Sequence, residues 1–396
     1  MKPQLIFQFM TRYKLVFGLT IVIAACGKVE KEGDRTTHSA SFEKLDSVKV
    51  TFSGEFTVHD LDPLSKTVLF MAQEEQQSEI VWAGFDGQVR TSFPSKGILP
   101  DGYAGLLAPL KIEGEDSFSA YGSNGFMTFD FSGKLQSSVS HSKPGLLDGP
   151  KWTMGEGMEK LGNRYLHINQ GFGNIDQRNT DLNREMRLLV WLDPETGESE
   201  PFVQFPKSSI FRGGGSFFKD SWKPVFTVVD DHIYVVFGIE PFIYVYETSP
   251  PYSLVSGIPI DLPEYRHFQA ADSESSRLDY FELPSISGKI LNIKSFEGHF
   301  MIAYFPGFDL RDSEEYADDK SSRELISLSR EMRRNYPTRM AVIDSLGNLV
   351  GDFIPKDLDP KSMRVRNGEL WMQEKANEEV EEDYFRLFRV GLRLSD

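Results

Sequence analysis

The sequence predicts an all-β protein, and specifically a six-bladed β-propeller. Three observations lead to this expectation: a composition rich in aromatic and turn-forming residues, a turn-and-strand unit that recurs along the chain, and glycine-containing hairpin turns. The 396 residues include 31 Phe, 14 Tyr, 33 Gly and 21 Pro. Aromatic residues favour strands, whereas Gly and Pro favour turns over helices.

The recurring unit is a polar turn that leads directly into a short apolar or aromatic strand, as in "GEDSFSAYG" and "VDDHIYVVF". The unit occurs six times, marked by Ser65, Asp116, Asn163, Asp231, Gly298 and Gly368. Strand-rich units repeated every 40–50 residues or so, with insertions, are typical of propeller blades. Six units therefore predict six blades. A seven-bladed ring, a β-sandwich and two smaller β domains are the alternatives.

Most units continue into a second strand that ends in a tight turn, as in "IVWAGFDGQVRTSF". Gly87, Gly133, Gly197 and Gly347 supply the positive φ angle that such hairpin turns require. The last unit, which ends "YFRLFRVGLRL", lacks a strand, while Ser47–Val58 is a spare strand pair near the start. We expect this pair to complete the last blade and close the ring, which leaves no open sheet edge.

The first 25 residues have the parts of an export signal. Lys2, Arg12 and Lys14 form a positive leader, and Leu15–Ala25 is an apolar run too short to span a bilayer. The segment from Ile23 to Cys26, "IAAC", resembles a bacterial lipobox, and Cys26 is the single cysteine of the chain. The resemblance implies lipidation of Cys26, with palmitate-type acyl chains as the membrane anchor. An ordinary signal peptide and a thiol buried in an N-terminal helix are the alternatives.

The predicted organisation is a lipoprotein signal peptide (1–25), a flexible tether (26–41) and a propeller domain (42–396). The tether is rich in charge, Gly, Ser and Thr and has no periodicity. Gly27 is not the aspartate of inner-membrane retention signals, so we expect the outer membrane. "KVEKEGD" resembles the surface-export signals of Bacteroidota lipoproteins, or else is a plain solvated spacer. Both the periplasmic and the surface side remain open.

Charge restricts the partners. Without the three basic residues of the leader, the chain has 40 Lys and Arg against 59 Asp and Glu, so its net charge is strongly negative. An acidic chain is unsuited to nucleic acid and to an anionic membrane surface. The lipid is therefore the expected membrane contact, and a protein or a glycan the expected partner.

The later units are longer than the first two because of three insertions, Gly171–Arg187, Phe211–Pro224 and Phe305–Pro337. Extra residues in repeat folds usually lie in loops on one face, which is often the binding face. The third insertion also predicts a helix, since Ser321 and Glu324 fit a capping box. Candidate binding residues are Phe172, Arg178, Phe211, Arg212, Phe217, Phe218 and Trp222. The same aromatic residues could instead belong to the core of a blade.

Motifs for catalysis are missing from the sequence. There is no Gly-x-Ser-x-Gly elbow and no His-Glu-x-x-His helix, and the seven histidines share no metal-ligand spacing. We therefore predict no metal site, no cofactor and no catalytic residue. Carboxylates from different blades would have no fixed spacing, so a carboxylate pair at the channel mouth stays open.

The lipobox, the charged tether and motifs such as "MAVIDSLGNLVGDF" resemble Bacteroidota lipoproteins of domain-of-unknown-function families. The resemblance implies a six-bladed propeller of the TolB-like or NHL-like kind and does not imply an activity. We expect a non-catalytic binding module at the outer membrane. A glycan-active enzyme with carboxylates at the channel mouth and a structural subunit of an envelope complex are the alternatives.

Overall fold

The computed structural model forms a ring of six four-stranded antiparallel sheets. It describes residues 39–73, 78–94, 102–103, 105–140, 152–169, 184–213, 217–218, 220–268, 283–309, 311–313, 322–377, 380 and 382–395. Each sheet is one blade. The prediction of a six-bladed propeller is confirmed.

Each of the first three blades is built from four consecutive strands. Blade 1 contains β2 (Glu55–Asp62), β3 (Thr67–Gln73), β4 (Ser78–Gly84) and β5 (Val89–Pro94). Blade 2 contains β6 (Lys111–Glu113), β7 (Ser117–Gly122), β8 (Gly125–Asp130) and β9 (Leu135–Val139). Blade 3 contains β10 (Met158–Leu161), β11 (Arg164–Ile168), β12 (Leu189–Leu192) and β13 (Ser199–Phe202).

The second half of the ring repeats this order. Blade 4 contains β14 (Pro224–Val229), β15 (His232–Phe237), β16 (Phe242–Glu247) and β17 (Leu254–Pro259). Blade 5 contains β18 (Lys289–Phe296), β19 (His299–Phe305), β20 (Arg339–Ile343) and β21 (Leu349–Phe353). Blade 6 contains β22 (Arg364–Arg366), β23 (Glu369–Gln373), β24 (Tyr384–Ser395) and, as its fourth strand, β1 (Ser39–Thr51).

The ring is closed by the N-terminal strand, as expected, but with different boundaries. β1 alone completes blade 6, pairing with β24 from Ser39–Ser395 to Thr51–Tyr384. Glu55–Asp62, which includes the second half of the predicted strand pair, is instead the first strand of blade 1. β1 begins at Ser39, so the last residues of the predicted tether belong to the sheet.

Each of the six marker residues lies in the turn between the first and second strands of its blade. Because neighbouring strands are antiparallel, the turns between third and fourth strands lie at the same end of the ring. We call this end the hairpin face. The longer connections, between blades and between second and third strands, start and finish at the opposite end, the long-loop face. All three predicted insertions belong to connections of the long-loop face.

Apolar side chains fill the spaces between neighbouring blades. Between blades 6 and 1, for example, Val50 of β1, Leu61 of β2 and Leu387 of β24 are fully buried in one cluster. Two helices of the described residues, α1 (Leu283–Ile286) and α2 (Ser322–Asn335), belong to long-loop connections. The predicted helix is thus present as α2, and its Leu328 and Met332 pack in the cluster between blades 3 and 4. None of the helices in the described ranges is long and apolar enough to cross a membrane.

Candidate functional site in the central channel

The first strands of the blades surround a central channel, and a cavity of about 450 Å³ lies within it. Residues from β6, β10, β14, β18 and β22 line this cavity, which places it on the axis of the ring. Gly114, Lys160 and Asn367, which lie at or beside first turns, also line it, so it lies towards the hairpin face. Its charged lining residues are Lys111, Glu113, Glu159, Lys160, Lys294, Arg364 and Arg366.

One polar network joins blade 6 to blades 1 and 2. The Asp60 carboxylate on β2 is fully buried and pairs with Arg364 at 3.1 Å and Arg366 at 2.9 Å. It also accepts the backbone N–H of Ile112 at 3.0 Å. Burial alone would raise the pKa of Asp60, but Arg364, Lys111 and Arg366 together with the Ile112 N–H hold the pKa below its usual range. Asp60 is therefore an anion that binds two cations of the closing blade.

Arg366 extends the same network. Its Nε pairs with Asp62 at 2.9 Å, and its Nη2 donates to the carbonyl oxygen of Ile112 at 3.0 Å. The Ser65 N–H also donates to Asp62, at 3.0 Å. One guanidinium thus bridges three first strands, the kind of directional contact that arginine makes better than lysine.

A second network joins blades 3, 4 and 5. The Lys294 ammonium on β18 pairs with Glu159 on β10 at 2.6 Å, and its side chain is only 4% exposed. The other Glu159 oxygen accepts the N–H of Val228 on β14 at 2.9 Å. Lys294 also donates to the carbonyl oxygen of Phe226, at 3.3 Å. These contacts position Glu159 and Lys294 at the wall of the cavity.

The carboxylate of Glu113 lies at the edge of the cavity. It pairs with Lys160 at 2.7 Å and accepts the hydroxyl of Ser119 at 3.0 Å. The hydroxyl of Tyr165 donates to it as well, and burial with the nearby Glu113 charge raises the pKa of Tyr165. Each of these network carboxylates, Asp60, Asp62, Glu113 and Glu159, is therefore held in an ion pair.

Lys111 differs from the other cations of the cavity. Only 4% of the residue is exposed, and its Nζ has no hydrogen-bond partner among the described residues. Burial and the positive charge of Arg364 lower the pKa of Lys111 to about 7, although Asp60 opposes the shift. Lys111 thus lines the cavity with a buried ammonium that has no hydrogen-bond partner among the described residues.

A second cavity, of about 350 Å³, lies between blades 6 and 1 at the long-loop face. Glu55, Glu374 and Glu382 line it together with Arg386. Glu374 is paired with Arg386 at 3.6 Å. The channel, by contrast, is lined by a buried lysine that forms no ion pair with a described residue, so it is the better candidate site.

The predicted binding residues do not come together around the channel cavity. Cys26, Phe172 and Arg178 lie outside the described residues. Four of the remaining candidates, Phe211, Phe217, Phe218 and Trp222, are at most 7% exposed and pack in the cluster between blades 3 and 4. Of the two interpretations given for these aromatic residues, their burial agrees with the core alternative. Arg212 is half-buried, and a binding role for any of the seven residues stays a prediction.

Sequence reasoning missed the channel residues. Their signal was present, because charged residues interrupt first strands shortly before the marker turns, as in "HDLD" before Ser65 and "RVR" before Gly368. The paired residues are far apart in the chain: Arg366 and Asp60 are separated by 306 positions. No clustered set of His, Cys, Asp and Glu that could hold a metal ion occurs among the residues the structure describes.

Several solved structures have a similar fold. A member of the DUF4221 family from Bacteroides vulgatus superposes with a TM-score of 0.64, covering 91% of this chain and 100% of that chain at 9% identity. A protein assigned as exported, from Bacteroides fragilis, has a TM-score of 0.46 over 91% of this chain and 96% of its own, at 12% identity. The first likeness shows a shared fold, and the second is too distant to support an argument. No protein-family profile and no curated protein sequence matches this chain.

Proposed function

We propose that this chain is an outer-membrane lipoprotein of the bacterial envelope that acts as a non-catalytic binding module for a protein or glycan partner. Its lipid anchor would be Cys26, and its partner surface the long-loop face. The observation that carries the proposal is the distribution of connections: the long ones all share one face, and the N-terminal strand starts at the other.

The position of Ser39, where β1 begins, determines the face of the ring to which a tether would be attached. β1 runs from the hairpin face at Ser39 to the long-loop face at Thr51, since it is the fourth strand of its blade. Residues 27–38 separate Cys26 from Ser39 and span at most about 40 Å when fully extended. A lipid on Cys26 would therefore attach to the ring at its hairpin face and leave the long-loop face free for a partner.

The ion pairs of the channel favour binding over glycan cleavage. Glycoside hydrolysis needs one carboxyl group that is protonated and can donate its proton. Asp60 and Asp62 both have a lowered pKa because cations and N–H donors outweigh the effect of burial. Glu113 and Glu159 are tied to Lys160 and Lys294. These four carboxylates are thus paired with cations, and none of them is a free acid.

The anchor is tested by protease shaving of intact cells, with lysed cells and a Cys26→Ser strain for comparison. Digestion in intact cells supports surface display, and protection until lysis supports the periplasmic side. Cys26→Ser should move the chain from the membrane fraction to the soluble fraction. A Cys26→Ser chain that stays in the membrane fraction would refute the lipid anchor.

The partner surface is tested by cross-linking in cells with two matched pairs of charge reversals. Lys207→Glu with Arg212→Glu alters the long-loop face, whereas Lys66→Glu with Lys134→Glu alters the hairpin face. We expect the first pair to abolish capture of the partner and the second to leave capture intact. The opposite pattern would refute the assignment of the face. A partner that co-purifies at fixed stoichiometry with both variants would favour the structural-subunit alternative.

A further inference from the structure

The channel cavity is lined by one buried lysine, Lys111, that has no counterion among the described residues, which a purely structural network does not need. Its other cations are each paired with a carboxylate: Arg364 with Asp60, Arg366 with Asp60 and Asp62, Lys294 with Glu159 and Lys160 with Glu113. Lys111 makes no ion pair and no hydrogen bond with any described residue. An unpaired buried ammonium is costly, so a channel selected only for stability would have an apolar residue at this position.

The surroundings of Lys111 are suited to an anion. Lys294 from β18 and Arg364 and Arg366 from β22 are close enough to act on its charge. Arg364 is 12% exposed, lines the cavity and has Asp60 as its single carboxylate partner among the described residues. Guanidinium and ammonium groups in a site of low dielectric are the usual ligands of carboxylate and phosphate oxygens.

We propose that the channel cavity binds one small oxyanion, a carboxylate or phosphate group of a small molecule, through the Lys111 ammonium with Arg364 as a second donor. The volume of about 450 Å³ is that of a small-molecule site and is too small for a folded partner. The bound group supplies the negative charge that the wall lacks. This site lies towards the hairpin face and is independent of the partner proposed for the long-loop face.

Binding of an oxyanion should be coupled to a proton. The groups that face Lys111 are His59 and Asp60 on β2, Lys294 on β18, and Arg364 and Arg366 on β22. Since the pKa of Lys111 is about 7 in the empty cavity, part of the population is neutral near neutral pH. An anion stabilises the charged form, so the affinity should be full below pH 7 and should fall as the pH rises to 9.

The test is isothermal titration calorimetry on the full chain with four probes: glucuronate, glucose 6-phosphate, inorganic phosphate and neutral glucose. Glucuronate is used for the pH series because its carboxylate stays ionised above about pH 5. The two oxyanion classes are distinguished by which probe binds more tightly, and glucose should not bind. At pH 8, the measured binding enthalpy should vary with the ionisation enthalpy of the buffer, because Lys111 takes up a proton when the oxyanion binds.

The decisive variant is Lys111→Met, with Lys356→Met at an exposed position as the matched control. We expect Lys111→Met to weaken oxyanion binding by at least about thirtyfold and to remove the proton uptake. The same variant should have a higher midpoint of thermal unfolding, because it removes a buried unpaired charge. Lys356→Met should change neither property.

Three results would overturn the proposal: no oxyanion probe bound at about 10 mM, unchanged affinity in Lys111→Met, or equal binding of glucose. A lower unfolding midpoint for Lys111→Met would likewise contradict it, because Lys111 would then stabilise the ring without a ligand.

Discussion

Asp60→Asn should strongly destabilise the ring, because Asp60 is the anion on which the closing blade depends. The carboxylate is fully buried and binds two guanidinium groups at 3.1 and 2.9 Å. Asn has nearly the same shape and can still accept the N–H of Ile112, so the substitution removes mainly the charge. Removing one partner of a buried ion pair typically costs about 3–5 kcal/mol. Two arginines lose their counterion here, so we expect the free energy of unfolding to fall by about 4 kcal/mol.

The fall in the free energy of unfolding caused by Asp60→Asn should become smaller at acidic pH. The pKa of folded Asp60 lies below the ordinary value of 3.8, so the carboxylate stabilises the folded state above that value. This contribution disappears as the pH falls through the folded pKa. The difference between wild type and Asp60→Asn should therefore be constant from pH 7 to about pH 4 and should shrink below it.

The assay is equilibrium unfolding in urea, followed by tryptophan fluorescence at several pH values. Asp86→Asn is the matched control, since Asp86 forms an exposed ion pair with Arg90. We expect a far smaller change for the control. A loss below about 1 kcal/mol for Asp60→Asn at pH 7 would refute the reasoning, since surface ion pairs already reach that value. A difference that grows on acidification would refute the assigned direction of the pKa shift.

The remaining predictions concern the turns and the blade interfaces. Gly87→Ala should lower stability much more than Gly114→Ala in thermal unfolding: both glycines have a positive φ, but a Cβ at Gly87 would lie 2.0 Å from a backbone oxygen of β1, whereas Gly114 has open space. Equal losses would contradict this. Val50→Asp should detach β1 and speed amide hydrogen exchange in β1 and β24, because it buries an unpaired carboxylate, whereas exposed Thr51→Asp should not. Exchange that is unchanged in Val50→Asp would show that β1 does not depend on this contact. Trp82→Phe should cost about 1 kcal/mol in urea unfolding by removing the 2.9 Å hydrogen bond from Trp82 Nε1 to Phe131. No loss would mean that this bond adds nothing to stability.

The blade count could be predicted because its signal is local. A polar turn and the strand after it lie within about ten residues, so no long-range contact is needed to recognise them. The hairpin glycines also follow from local geometry: Gly87, Gly133, Gly197 and Gly347 all have φ between 72° and 90°. The strand that closes the ring was harder to delimit. Residues 39–41, which fall in the predicted tether, have only small side chains, because an outermost strand buries only one face and needs few large apolar residues.

The candidate site could not be derived from spacing. Lys111 and Arg364 become neighbours only when blade 6 closes next to blades 1 and 2, and their distance in the chain carries no information about this. Burial of Phe217 and Phe218 could not be derived either. Their place in an insertion made them candidate binding residues, but Ile286 of α1 and Met332 of α2 contribute to the same buried cluster, and this contact is set by tertiary structure. Sequence reasoning therefore placed candidate binding residues in the insertions and missed the charged residues of the channel.

The position of β1 also has a mechanical consequence. If Cys26 carries the lipid, any force between the membrane and a bound partner enters the ring at Ser39 and acts along β1. β1 is paired with β24 at twelve residue pairs over its length. A pull along the strand axis loads these pairs in shear, so they must yield together, whereas a sideways pull would open them one after another. The strand that closes the ring would thus be the element that resists tension on the anchor.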